Sequence, residues 1–570
     1  MAAEETKKGK TRRLACAITG GLFLAVSLQW GRQLDRAGNV NFLSLSGWAA
    51  VLLSWVLFTL LVYGGFCALS AGCRRLGQRE RIRPVYGKKE AAVHRRLAGR
   101  ALLLFLAWIP VFLAVYPGFF SYDATDELEE VLTGTYITRH PLLHVLLLGR
   151  TVAGLGRAAG DYNIGIAVYV LVQMAGMAVL LSWFLLQLER LGAGKLFAAM
   201  ALLYFAVFPV IPMYVLCTSK DMPYTAGMLM AVTILCRRFS PGVDEAGKRK
   251  RGFWLAALCA AFFVMGTFRS NGFYVLLTAA PLLLLFAPPK ERKRLAVLCL
   301  TALLLCVGTK EGLAIALHPA DTDPQEAFTV PIQQLARAWK YNPEVFDGQE
   351  QEALFEILPQ EALASYTPKL SDPVKIGFQT QRFLEAPGRY IGLWARIGRR
   401  APFTYLNAWL MTSYGFWYPF TVIDVYNGQR YYETSSYFSC ETEPPGVRHS
   451  MFPLLERVYQ KISWREGFHR IPLLSWLFSP GFFCWIYVLG ALYLFSEKRG
   501  RVLAALSPIY LNWLTVLLGP ACLVRYVLIF WFAFPLLPVV IKSQMCYTAM
   551  DNGESGKVCP SDIPERRYEP

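Results

Sequence analysis

The side chains of this sequence best suited to chemistry stand at the edges of its apolar runs. Tyr116–Pro117–Gly118–Phe119–Phe120–Ser121–Tyr122–Asp123 closes one run, Asp126, Glu127, Glu129 and Glu130 follow, and the stretch ends at Arg139–His140–Pro141. Carboxylates held against a bilayer are expensive, which marks them as candidates for function. Three other turns each set a cation hard against an apolar run: Ser219–Lys220–Asp221, Arg269–Ser270–Asn271–Gly272 and Arg525–Tyr526. If Lys220, Arg269 and Arg525 face Asp123 and Asp221, they make a site with cations for a phosphate and carboxylates for a base or a metal ion.

Each of these residues also has a plainer role. Read as a helix, 123–132 puts Asp123, Asp126 or Glu127, and Glu130 on one face. Asp123 is then an N-cap, the acids after it are first-turn residues favoured by the helix dipole, and Gly134 is the stop. Pro141 can open a surface helix that His140 merely precedes, with His144 packing inward. Lys220, Arg269 and Arg525 can each snorkel, and Tyr526 suits an interfacial belt. The capping account covers Asp126 to Glu130 better than Asp123, which Tyr116–Pro117–Gly118 turns in beneath the membrane surface. Three cations on the side otherwise poor in positive charge form a pattern that snorkelling does not explain.

The elements that must position these groups are membrane spans. The chain is 55% hydrophobic with mean hydropathy +0.35, and a span needs about 20 apolar residues. The clearest runs are 47–69, 101–117, 164–188, 196–216, 253–268, 273–287, 295–317, 476–495, 502–518 and 522–541, with weaker ones at 14–30 and 222–236. They predict an all-α polytopic membrane protein of about twelve transmembrane helices. The first run, preceded by Lys7, Lys8, Lys10, Arg12 and Arg13, has no clean cleavage site and reads as a retained helix. The net charge of +18 collects in the N-terminal tail, 72–100, 237–251, Lys290–Arg294 and Lys498–Arg501. Numbering the spans in order puts all these clusters on one side, the cytoplasmic one. The charge is therefore a topology signal, and no nucleic-acid-reading motif accompanies it.

The resulting division is 1–317, a transmembrane region with an exterior acidic loop at 117–140; 318–475, a mostly helical exterior domain; 476–541, C-terminal transmembrane helices; and 542–570, a cytoplasmic tail. Prolines from Pro324 to Pro387 break the exterior domain into short elements, and its later aromatic stretch (Trp409, Tyr414, Phe416, Trp417, Tyr418, Phe420) is expected to pack onto the membrane helices. The tail after Ser543 is polar and expected to be disordered. The 13 cysteines are scattered, with Cys440 deep in the exterior domain, and form no C-x-x-C pair. There is no H-E-x-x-H, no G-x-S-x-G and no Walker-type phosphate loop.

Taken together, Tyr116–Pro117–Gly118, Asp123, His140–Pro141, Ser219–Lys220–Asp221, Arg269–Ser270–Asn271–Gly272 and Arg525–Tyr526 resemble the GT-C superfamily of membrane glycosyltransferases. They are most similar to a group of glycosyltransferase-like, multi-pass bacterial proteins. Val330–Pro331–Ile332–Gln333–Gln334 and Ser371–Asp372–Pro373–Val374–Lys375 fit the same pattern, and the resemblance runs from about residue 100 to 541. It implies transfer of a sugar from a polyprenyl-phosphate donor to an envelope glycan, lipid or protein acceptor at the outer face of the cell membrane. Asp123 would be the base, Arg269 and Arg525 would hold the donor phosphate with Lys220 in support, and His140, Asn271 and Tyr526 would line the site. Gln333 and Gln334 would hold the acceptor. Asp123 and Asp221 would be the ligands of any Mg²⁺ or Mn²⁺, although the adjacent or once-spaced acidic pair usual in the superfamily is not cleanly present at Asp123. A transporter or flippase for a lipid-linked or anionic substrate is the alternative, compatible with Gly- and Pro-interrupted spans. Against it, the polar residues lie at the surface rather than at midplane, and the sequence shows no matching halves.

Overall fold

The computed structural model describes residues 2–79, 90–240, 248–320, 324–420, 425, 441–463, 471 and 473–551. Asp321, Asp323, Cys440 and the tail beyond 551 lie outside them. Among the described residues the chain is helical throughout, with no strand and only three isolated β-bridges. The first part is a series of twelve helices: α1 (Ala2–Ala37), α2 (Leu45–Arg79), α3 (Glu90–Ala114), α4 (Ala124–Thr133), α5 (Leu142–Ala159), α6 (Tyr162–Arg190), α7 (Lys195–Val207), α8 (Val210–Val215), α9 (Asp221–Phe239), α10 (Lys248–Phe268), α11 (Ser270–Phe286) and α12 (Pro289–Leu317).

Among the described residues six helices are long and apolar enough to cross a membrane: Lys8–Ala37, Leu45–Cys73, Ala91–Ala114, Leu142–Ala159, Tyr162–Arg190 and Pro289–Leu317. Several apolar runs counted as whole spans from sequence are shorter or broken. Run 196–216 splits at Phe208–Pro209 into α7 and α8, and run 522–541 splits into a 3₁₀ turn, Val524–Val527, and two helices, Ile529–Phe532 and Leu536–Asp551. Proline, which lacks an N–H and clashes with the preceding turn, stands at both breaks, as Pro209 and Pro535. Conversely, α5, read from sequence as a surface helix, has the length and apolarity of a span. The last helix runs on to Asp551, so the first residues of the expected disordered tail are ordered.

Two hydrophobic cores form. One runs through the apolar helices and takes in Leu410, Met411, Tyr414, Phe416, Trp417 and Tyr418. Trp409 Nε1 donates to Leu517 O at 2.8 Å and Trp513 Nε1 to Phe416 O at 3.1 Å, so the aromatic stretch is fastened to the apolar helices. The second core lies within 318–475 and centres on Ile332, Leu335, Leu354, Val374, Leu393 and Ile397. Its helices are amphipathic in the ordinary way: in Pro387–Arg400, Tyr390, Leu393 and Ile397 face inward at spacings of three and four.

Candidate functional site

Ala114 ends α3, and the chain turns through Tyr116–Pro117–Gly118. Gly118 has φ +128°, and a Cβ there would meet Val170 Cγ2 at 2.7 Å and Leu216 O at 3.1 Å, so the turn requires glycine. Phe119 then forms a parallel bridge with Cys217, its N–H donating to Leu216 O at 3.0 Å while Thr218 N–H donates to Phe119 O at 3.1 Å. That register brings the next few residues of both segments together, and Lys220 Nζ lies 2.7 Å from Asp123 Oδ2. Between them Tyr122 adopts φ +63°, a conformation uncommon and costly for a side chain of its size. Its ring lies 4.1 Å beneath the Arg525 guanidinium.

Asp123 precedes α4 at the N-cap position, yet its side chain makes no capping bond. Its carboxylate instead takes Lys220 and Arg525, whose Nη1 is 3.4 Å away. The same Arg525 nitrogen is 3.8 Å from Asp221 Oδ2. Asp221 is buried, pairs with Arg269 and accepts a hydrogen bond from Ser219 Oγ at 2.6 Å. Arg269 in turn stacks on Tyr526 at 4.5 Å, a cation–π contact that orients the guanidinium. Lys220 completes the set: it donates to His140 Nδ1 at 2.9 Å and stands 3.9 Å from Glu127 Oε1. Lys220, Arg269 and Arg525 thus meet Asp123 and Asp221 in one cluster, and His140 belongs to it.

The acidic helix departs from its expected role. Glu127, read as a dipole-favoured acid pointing elsewhere, is 1% exposed and bonded to His144, whose Nε2 is 3.1 Å from Tyr169 OH. The cause is that α4 packs against α5, which buries the face bearing Ala124, Glu127, Leu128 and Glu130. His144 packs inward as expected, but as a hydrogen-bonded partner. Glu129 is exposed, as a plain surface acid should be, and Gly134 ends the helix in the left-handed region.

Three sequence candidates lie apart from the charges. Asn271 Nδ2 reaches Asn512 Oδ1 and Thr515 Oγ1, at 3.2 and 3.3 Å. Gln333 Nε2 donates to Thr367 O at 2.5 Å, and Gln334 donates to Tyr405 O and accepts from Trp394 Nε1. Both glutamines brace the second core rather than line the cluster, because α13 (Thr329–Tyr341) turns that face into its own domain. Tyr122 and Asn512 were missed in the sequence as site residues, and Glu127 and Glu130, named there in the acidic stretch, were given a helix-dipole role. Asn512 is fully buried, accepts from Tyr224 OH at 2.7 Å and donates to Tyr526 O at 3.0 Å, tying together the elements that carry Asp221, Arg269 and Arg525. Its signal was a lone amide in the apolar run 502–518.

Electrostatics sort the acids into two kinds. Burial pushes Asp123 up, but Lys220 and Arg525, with His140 behind them, outweigh it and hold the carboxyl well below the usual range. Glu130 is pushed up to about 7 by burial and by neighbouring Glu127 and Asp126, against one bond from Ile137 N–H. Burial and the Lys220 ammonium bring His140 down to about 4. Asp126 is raised by burial and by Asp123.

The carboxylates offered for a divalent cation fit one poorly. Asp123 faces Lys220 and Arg525, Asp221 faces Arg269 and Arg525, and a metal ion between them would meet three side-chain cations. Among the described residues no three His, Cys, Asp or Glu side chains group to hold a metal.

The fold and the cluster define an all-helical protein, consistent with a multi-pass membrane protein, that carries a buried ionic network. The chain matches a family of unknown function (DUF6020) over residues 132–552 and belongs to that family. No curated protein and no solved structure matches it.

Proposed function

We propose that this chain is a membrane glycosyltransferase that moves a sugar from a polyprenyl-phosphate donor to an acceptor outside the cytoplasm. The reading includes a GT-C-like frame, the cluster at the outer face of the cell membrane and both termini in the cytoplasm. One observation carries it: Lys220, Arg269 and Arg525, from three turns far apart in sequence, meet Asp123 and Asp221 where apolar helices begin and end. Forked guanidinium groups suit phosphate oxygens, and preplaced cations stabilise the charge that develops as the sugar leaves.

The network also supplies a logic for the base. A carboxylate held by two cations has little affinity for a proton. A donor phosphate that draws Arg525 away would leave Asp123 with Lys220 alone and raise its basicity when the acceptor hydroxyl needs it. No step runs through a metal ion.

The test is purified protein supplied with polyprenyl-phosphate-linked glucose, mannose and galactose in turn, plus envelope extract as acceptor. Release of polyprenyl phosphate that Asp123→Asn abolishes supports the reading. Movement of the intact donor across a liposome, with its bonds unbroken and with the same dependence on Arg525, would establish a transporter instead.

A further inference from the structure

Beyond the cation cluster, two buried polar atoms face each other with no hydrogen-bond partner. They are His140 Nε2 and Glu130 Oε1, 4.0 Å apart, on side chains only 1% and 7% exposed. Asp126 Oδ2 is 3.9 Å from the same imidazole nitrogen, and its side chain is 55% exposed. Orphaned buried polar atoms are costly and call for an account. At 4.0 Å the two atoms are about 1 Å beyond hydrogen-bond distance, so a small approach of either side chain joins them.

The other side of the ring fixes its protonation. An ammonium has no acceptor, so Lys220 Nζ must donate to His140 Nδ1. The single proton of the neutral imidazole therefore sits on Nε2, pointing at Glu130 and Asp126. The groups that face this ring are Asp123 just before α4, Asp126, Glu127 and Glu130 from α4, Arg139 from its own loop and Lys220 from the turn before α9. His140 also lines a cavity of about 260 Å³ to which α12 contributes Lys310 and Glu311.

We infer that Lys220 and His140 form the proton exit of the site, carrying the acceptor's proton from Asp123 to Glu130 and Asp126. This rests on the transferase reading given above. The transfer balances atom by atom. The acceptor O–H proton goes to Asp123, and Asp123 passes it to Lys220 Nζ as Lys220 releases another to His140 Nδ1. His140 gives its Nε2 proton to Glu130 as the two side chains close the 4.0 Å between them. Lys220 remains an ammonium and the imidazole remains neutral with its proton moved to Nδ1, and a second exchange with solvent water, which takes the Nδ1 proton and returns one to Nε2, restores the starting tautomer before the next turnover. Glu130, which titrates near neutrality, can take a proton and release it to solvent beside Asp126.

Passage through a neutral ring needs both nitrogens, and the test exploits that. His140→Ala should lower kcat at least about ten-fold with the donor KM nearly unchanged. Imidazole, which the adjoining cavity admits, should restore much of the loss, whereas 1-methylimidazole, of similar shape but with one usable nitrogen, should not. Equal rescue by both compounds, or full activity without either, overturns the relay in favour of packing. If the alanine variant does not fold, His140→Gln serves, and its full turnover would have the same meaning. A second measurement is independent of turnover. The ¹⁵N spectrum of histidine-labelled protein, with His140 assigned by its loss in a variant, should show the Nε2–H tautomer from pH 6 to 8. An imidazolium or an Nδ1–H form there overturns the relay. The expected tautomer in a protein that consumes no donor overturns the transferase reading and, with it, this use of the chain.

Discussion

The two ends of α9 carry charge in different ways. Its last turn holds Arg237 and Arg238, and Arg238 pairs with Glu291 at the start of α12. Similar links tie Arg13 to Glu497 and Arg96 and Arg100 to Glu189. Each joins the end of one helix to a neighbour. The first turn holds Asp221, next to Lys220, and there Arg525 reaches two carboxylates while Lys220 reaches two carboxylates and an imidazole. Both ends are ionic, but only the second combines shared partners, displaced titrations and buried atoms left unpaired. Charge alone therefore identifies a helix end; shared charge joined to carboxylates and an imidazole displaced from their ordinary titration marks a site.

The comparison can be broken most directly at Asp123. Asp123→Asn keeps the shape and removes the base, so turnover per folded molecule should fall by about 10²-fold or more, and the thermal midpoint in detergent should fall as well, because Lys220 and Arg525 lose the carboxylate that they hold ionised. Near-normal turnover would reduce this end to a structural lock like the other. Next come Arg269→Lys and Arg525→Lys, each expected to lower kcat/KM by about ten-fold, because a point charge does not replace a fork. The double variant should lose less than the product of the two, since both serve one phosphate, and strictly multiplicative losses would mean separate roles.

Gln333→Ala should act on stability alone. It leaves the Thr367 and Pro368 carbonyls without a donor, at about 1–3 kcal/mol, with normal turnover per folded molecule. A selective loss of acceptor affinity would return Gln333 to the site.

Glu130 supplies a pH test. Its folded-state pKa of about 7 lies above the ordinary glutamate value of about 4.3. The folded protein then keeps a proton that the unfolded chain releases, so this stabilisation is complete below the ordinary value and lost as pH rises through about 7. The wild-type midpoint should fall relative to Glu130→Gln between pH 5 and 8, and parallel curves would contradict the shift. Smallest of all, Arg238→Gln should leave turnover within about two-fold and stability within about 1 kcal/mol, as expected of a partly exposed pair.

Much of the site was legible in sequence because its members stand where apolar runs break. A charge at such an edge, as at Lys220, Arg269 and Arg525, is visible without knowing which helices touch. Glu127 and Glu130 were harder: their spacing put them on one face with Asp123, but a helix dipole explained that face equally well until packing against α5 buried it. Gln333 and Gln334 misled because neighbouring polar residues on an amphipathic helix read alike whether they bind a ligand or brace a core. Helix lengths were the least legible, since hydropathy runs straight through Pro209 and Pro535 while the backbone does not.

Asp123 and Arg525 are 402 residues apart in the chain. At a synthesis rate of about 5–20 residues per second, roughly 20–80 s pass between the emergence of the two. Until Lys220 follows it the carboxylate has neither cation, and from then on it can rely on Lys220 but not on the cation that completes its surroundings. A product cut short anywhere before residue 525 would therefore carry a membrane-edge acid missing one of its counter-charges, a defect open to cellular quality control while the ribosome is still engaged.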